Sequence, residues 1–153
     1  MSAGATSVAV VVDDGVAPFE LATVCEVFAV DRRSEGMPLV DFAVCSPRRG
    51  PVATQGGFTM TAPHRLEPLA TADLVVVPAL GKDYVPGPAL VAALRGAAER
   101  GATVVSLCSG AFVLARAGLL DGRRATTHWV YAEEFAELFP AVDVVPGVLF
   151  VED

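Results

Sequence analysis

The sequence predicts an α/β fold with three layers: a doubly wound, mostly parallel sheet of flavodoxin-like layout, with helices on both faces. Three observations lead there. Short β-branched runs occur at residues 8–12, 74–77 and 103–107, and each runs into a turn. Apolar positions between the runs recur at helical spacing. Runs that are apolar throughout mark strands buried on both sides of a parallel sheet, and right-handed crossovers between such strands must cover the sheet with helices.

Taken in order, residues 8–12 form the first central strand, closed by Asp13-Asp14-Gly15. After Pro18, the residues Leu21, Val24, Cys25 and Phe28 make one helical stripe, with Arg32, Arg33 and Gly36 as its basic end and stop. Residues 39–45 read as a second strand. The Gly56-Gly57 pair, with Phe58 and Met60 alternating after it, predicts a hairpin on the sheet edge. Residues 74–77 form a buried strand ended by Pro78, and prolines and glycines stiffen the loop to Pro88. Residues 89–100 are an alanine- and leucine-rich helix ended by Gly101, and the strand at 103–107 runs into Cys108-Ser109-Gly110. A third helix follows over 111–117. Trp129, Ala132, Phe135, Ala136 and Phe139 form the apolar face of a fourth, with Glu133, Glu134 and Glu137 toward water. Pro140 stops it, and residues 148–151 read as a last short strand. In such a sheet, ligands bind beyond the carboxyl ends of the strands.

The 153 residues suffice for one domain with a core of its own. A hydrophobic share of 53% against 19% charged, spread over short runs, predicts globular packing rather than disorder. No run approaches the roughly 20 apolar residues of a membrane span, and Met1 to Ser7 lack a basic start before an apolar stretch. A cytoplasmic protein without membrane contact is the expectation. Cys25, Cys45 and Cys108 are too scattered for a disulfide framework or a zinc site, so free thiols and no metal or other cofactor are expected. The net charge of −7 repels phosphate backbones, so this sequence is not expected to touch nucleic acid itself.

Cys108 stands between an apolar strand and a helix, with Ser109 and Gly110 small enough to allow a strained turn that lifts a side chain above the sheet. At such an elbow the backbone N–H groups favour thiolate, which predicts a pKa below the ordinary ~8.5 and faster alkylation than at Cys25 or Cys45. The N–H groups of Ser109 and of the Leu80-Gly81 loop could hold an oxyanion or a ligand carbonyl. A small core residue at a strand end is the alternative for Cys108. Cys25 lies on its helix's apolar stripe and Cys45 at a strand end, and packing suits both. Glu20 begins the first helix, either as an acid favoured by the helix dipole or as a carboxyl reaching Cys108, where its protonated form would donate to the sulfur. His128 sits at a helix mouth with Thr126 or Thr127 as cap, and His64 has no assigned role.

Cys108-Ser109-Gly110-Ala111, followed by the stretch from Gly118-Leu119-Leu120-Asp121-Gly122 to Ala125-Thr126-Thr127-His128-Trp129, resembles the ThiJ/PfpI superfamily. That superfamily is a branch of the class I glutamine amidotransferase-like fold, and the likeness extends over nearly the whole chain. The second stretch is especially similar to the N-terminal domains of AraC-type transcriptional regulators and to isocyanide hydratases. The resemblance implies Cys108 as elbow cysteine, Glu20 as the acid facing it and His128 as the nearby histidine. Leu80, Gly81, Ser109, Gly110 and Trp129 would then surround a ligand. Ser109 stands where hydrolase-like members carry histidine, and Ala79-Leu80 where many enzymes carry Gly-Gly, so Leu80 is expected to put bulk at the entrance. Isocyanide hydratases carry aspartate in place of Glu20. The family places one more strand and helix after residue 153, and the regulators then continue into a helix-turn-helix domain, absent here. Two functions follow. One is a ligand-sensing and dimerisation domain, binding a small metabolite and reaching DNA only through that further domain. The other is an enzyme using Cys108 as nucleophile on a small carbonyl, amide or isocyanide.

Overall fold

In the computed structural model, which describes residues 6–153, the first β-branched run becomes β1 (Ser7–Val11), with every residue from Val8 to Val11 buried. Helix α1 (Pro18–Phe28) follows and turns Leu21 and Val24 inward. The chain leaves α1 at Ala29, and Gly36 ends a separate 3-10 turn over Arg33–Glu35 instead of α1 itself. β2 (Asp41–Cys45) pairs with β1 in parallel. β3 (Val52–Ala53) and β4 (Thr59–Met60) form the expected hairpin around Gly56-Gly57. β5 (Leu74–Val77) lies beside β1, helix α2 (Pro88–Glu99) follows, and β6 (Thr103–Ser106) lies beside β5. α3 (Gly110–Arg116) starts at the elbow, ahead of β7 (Arg124–Ala125), α4 (Ala132–Leu138) and β8 (Asp143–Val144).

The main sheet is parallel, in the order β2-β1-β5-β6. Its two inner strands are the runs without polar interruption, whereas the outer strand β6 alternates, with Thr103 and Val105 exposed. The crossover from β1 to β2 runs one way across the sheet and that from β5 to β6 the other. Right-handed connections therefore put α1 on one face and α2 on the opposite one. α3 stays on the α2 side: Arg95 of α2 donates from Nε to the carbonyl of Ala117, just past α3, at 2.7 Å. At the amino ends of the strands, one Asp73 carboxylate oxygen accepts hydrogen bonds from the amides and hydroxyls of Thr6 and Ser7, which holds its pKa down to about 2.

Three expectations are corrected. The hairpin is its own two-stranded sheet, not an edge of the main one. It is laid against the β1–α1 loop by a bridge between Val16 and Thr54, by Gly15 N–H to the Ala53 carbonyl at 2.8 Å and by Ala53 N–H to Asp14 Oδ1 at 2.8 Å. Residues 148–151 form no strand. Val148, Leu149 and Phe150 are exposed, and the pairing goes instead to β8, which lies parallel to β7 in a second small sheet. Trp129 is 76% exposed and Ala136 also faces out, so the apolar stripe of the fourth helix reduces to Phe135 and, in part, Ala132 and Phe139. The cause is local: Trp129–Tyr131 wind as a separate 3-10 turn that ends before α4 begins at Ala132, so Trp129 is not part of the helix whose face it was expected to share.

Phe112, Phe135, Ala111, Ala115, Ala125 and Val142 form a second apolar cluster apart from the sheet core. The Phe112 and Phe135 rings meet edge-to-face with centroids 4.8 Å apart. This cluster fastens α4 and the β7–β8 pair to α3, and so to the elbow from which α3 starts.

Candidate functional site

Cys108 has φ 53°, the one positive value among the described non-glycine residues. The left-handed region is costly for a residue with a Cβ, so surrounding structure must hold it there. Three restraints do so. Leu107 N–H donates to the Val77 carbonyl at 3.0 Å, fixing the strand end before the turn. Gly110 is buried so closely on β5 that a Cβ there would lie 2.2 Å from the Val77 carbonyl oxygen. On the far side, the Thr127 hydroxyl donates to the Cys108 carbonyl at 3.0 Å. The strained elbow expected from strand, cysteine, Ser-Gly and helix is therefore present.

Glu20 arrives from the first turn of α1. That turn is positioned by Ala17 N–H, which donates to the Ala79 carbonyl at 2.8 Å, and by Gly15, whose φ of 90° allows close passage past the Leu80 carbonyl. The Glu20 carboxyl faces the Cys108 sulfur closely enough for its charge to act on it. The thiol is accordingly not lowered, as the elbow alone predicts, but raised. Burial is the main cause, the Ser109 N–H opposes it, and the Glu20 carboxylate adds to it. Burial raises Cys25 as well, and Cys45, fully buried beside Glu67, is pushed up to about 12. A carboxylate set against a thiol keeps it neutral, and a neutral thiol is a poor nucleophile.

Of the other residues expected here, Ser109 is buried at the elbow and presents its N–H to the sulfur. Leu80 is 2% exposed and packs into the sheet core, so its side chain does not narrow an entrance. The Leu80 and Gly81 amides donate no hydrogen bond to another described residue. The role of Gly110 is close packing, with its absent Cβ leaving room for β5. His128 is exposed, and its Nδ1 accepts from Val130 N–H at 3.2 Å. It caps the 3-10 turn and bonds to neither Cys108 nor Glu20. Trp129 stacks beside it in the exposed surface.

Sequence reasoning missed the fastenings around this site. By local pattern Thr127 is a helix cap, whereas in the fold it holds the elbow. Lys82, next to Gly81, pairs with Glu134 of α4 at 2.7 Å, and the Tyr84 hydroxyl donates to Asp13 Oδ2 at 2.7 Å. Those pairs are separated by 52 and 71 positions, and no local pattern announces them. A groove of about 480 Å³ lies elsewhere, between Arg49, Arg65, Leu66, Glu67 and Ala89, and shares no residue with this site.

The model of the DJ-1/PfpI family matches residues 6–145. The chain belongs to this family. Among its relatives, an uncharacterised protein of Streptomyces lividans is 38% identical over 147 residues, covering 92% of this chain and 100% of that protein. The HTH-type transcriptional regulator CdhR of Pseudomonas aeruginosa is 41% identical over 110 residues, which is 71% of this chain and 33% of the regulator. The isonitrile hydratase of Pseudomonas putida is 34% identical over 101 residues, 63% of this chain and 41% of the hydratase. This DJ-1/PfpI chain thus spans a third of CdhR and less than half of the hydratase. A solved AraC family transcriptional regulator from Pseudomonas putida superposes with a TM-score of 0.76 over 94% of this chain and 79% of that one, at 22% identity. The flavodoxin-like, class I glutamine amidotransferase-like fold expected from the sequence is the fold of this family, and transcriptional regulators are prominent among its relatives. Among the described residues no helix is long and apolar enough to cross a membrane.

The Glu20 geometry makes one direct prediction. Glu20→Gln removes the charge that opposes thiolate, so the Cys108 pKa falls, and more thiolate is present at pH 7.5. Each unit is tenfold in thiolate, partly offset by lower intrinsic nucleophilicity. Iodoacetamide should modify Cys108 roughly threefold to tenfold faster in the variant, with Cys25 unchanged and Cys45 silent, as read by peptide mapping. An unchanged Cys108 rate would show that the carboxylate does not govern the sulfur.

Proposed function

We propose that this chain is the ligand-sensing and dimerisation part of an AraC-type transcriptional regulator, binding a small metabolite over Cys108. DNA would be contacted by a helix-turn-helix part outside this sequence, and the protein would work in the cytoplasm as a homodimer. The carrying observation is the elbow itself: a strained, well-held cysteine whose thiol is kept neutral by burial and by Glu20. Such a site can take a ligand carbonyl on the free Leu80 and Gly81 amides while its sulfur stays unreactive. Ser109 in place of an adjacent histidine and the outward-facing His128 leave no histidine beside the sulfur to serve as general base. The likeness to CdhR over one third of that regulator and the acidic charge of −7 suit a module that leaves DNA to a neighbour.

The second reading is an enzyme like isonitrile hydratase, with Cys108 as nucleophile and Glu20 moving protons, and the 34% identity to that enzyme favours it. Turnover separates the two. The protein from its natural reading frame is assayed on methylglyoxal, methyl isocyanide and acetamide, with Cys108→Ala as control, and tested for retention of DNA from upstream of its own gene. The sensor reading expects specific DNA retention and no cysteine-dependent turnover. Turnover with kcat/KM on the order of 10⁴ M⁻¹s⁻¹, at the low end for enzymes, and lost in Cys108→Ala, would establish the enzyme instead.

A further inference from the structure

The segment after β7 touches the candidate site at two separate points. Thr127 donates its hydroxyl to the Cys108 carbonyl at 3.0 Å. Seven positions later in the chain, Glu134 accepts from Nζ of Lys82, the residue after Gly81, at 2.7 Å. Between these points the chain is a 3-10 turn with Trp129 and Val130 exposed, and it is fixed behind by Phe135 in the second apolar cluster. Within the elbow, the Cys108 carbonyl accepts otherwise only a long bond from Ala111 N–H at 3.4 Å. A left-handed non-glycine residue relaxes unless its neighbours over-determine it. Thr127 is the restraint that comes from outside both the main sheet and α3.

We propose that Thr127 is a positioning residue for Cys108, holding the elbow carbonyl so that the sulfur stays turned toward Glu20 and the Ser109 N–H. The strap from Thr127 to Glu134 then joins the cysteine to the loop of free amides, so that a displacement of either is felt by the exposed turn between them. This deepens the regulatory reading, since it assigns the route by which the Cys108 site reports outward.

The test needs no ligand, so it fails or succeeds independently of the sensor assay. The rate of Cys108 modification by iodoacetamide is followed from pH 6 to 10 in Thr127→Val, Thr127→Ser and the parent protein, with Cys25 in the same samples as a gauge of overall opening. Loss of the hydroxyl lets the elbow relax and frees the sulfur from burial and from Glu20. The Thr127→Val midpoint should therefore move to lower pH, and Cys108 should react severalfold faster at pH 7.5, with Cys25 unaltered. Thr127→Ser, which keeps the donor, should match the parent. The proposal is overturned by an unmoved Thr127→Val profile, by a Thr127→Ser profile that shifts equally, or by Cys25 accelerating in step with Cys108. The last is what general loosening would produce.

Discussion

Gly110→Ala should destabilise the protein by roughly 3 kcal/mol or more, at the upper end of overpacking costs. A methyl at that position would lie 2.2 Å from the Val77 carbonyl oxygen and 2.8 Å from that of Pro78. Both are backbone atoms at the end of a buried inner strand, so no side-chain rotation relieves the clash and either β5 or the start of α3 must move. For a protein of this length the melting temperature should fall by roughly 6–12 °C. Gly96 is the control. It lies inside α2 with nothing within 4 Å of an added Cβ, so Gly96→Ala should stabilise by about 0.5–1 kcal/mol through helix propensity and the unfolded chain. If thermal unfolding shows the two variants alike, the close approach of α3 to β5 is wrong, and with it the account of how the elbow is held.

Phe112→Ala should cost about 3–5 kcal/mol, as expected for removing a fully buried aromatic ring. Phe112 is 0% exposed and meets Phe135 at 4.8 Å, Phe139 at 6.0 Å and Tyr131 at 6.2 Å, all near edge-to-face. The Arg116 guanidinium lies 5.6 Å from the Phe112 ring centre. Edge-to-face pairs add about 0.5–1.5 kcal/mol beyond area burial, and α4 has little else to hold it, being seven residues long. Urea unfolding measures the loss, and a value below about 1 kcal/mol would mean that the cluster collapses onto the vacancy or contributes little. Because this cluster seats the segment carrying Thr127 and Glu134, the folded variant should also show the faster Cys108 alkylation expected of Thr127→Val. A core aromatic placed away from the strap would not produce that effect.

The contrast between these two residues shows what kind of information each level held. Gly110 is legible in sequence as part of an elbow: a β-branched strand, a cysteine, two small residues and a helix in succession. Its reason for being glycine, a carbonyl from a strand some thirty residues earlier, is a matter of packing. Glu20 was legible as an acid out of place at an apolar helix start, and the doubly wound order brought it toward Cys108. The sign of its effect was not legible. Whether a carboxyl assists or opposes a thiolate depends on burial and on which groups share the sulfur.

By itself the sequence determined the parts whose causes are local. These are the parallel strands at 8–12, 74–77 and 103–107, the helices between them, the hairpin at Gly56-Gly57 and the turn at Cys108, because strand burial, helical periodicity and glycine conformations act over a few residues. The tertiary structure alone decided the rest. The parallel pairing of β7 with β8 joins residues nineteen positions apart through two-residue strands too short to carry a period of their own. The run at 148–151 is as apolar as a strand but meets no partner edge among the described residues, and strand formation depends on a partner. Trp129 dropped out of the apolar stripe because it sits in a separate 3-10 turn before α4 begins. Thr127, a cap by sequence logic, became the outside restraint on the elbow, since a hydroxyl bonds to whichever carbonyl the fold brings near.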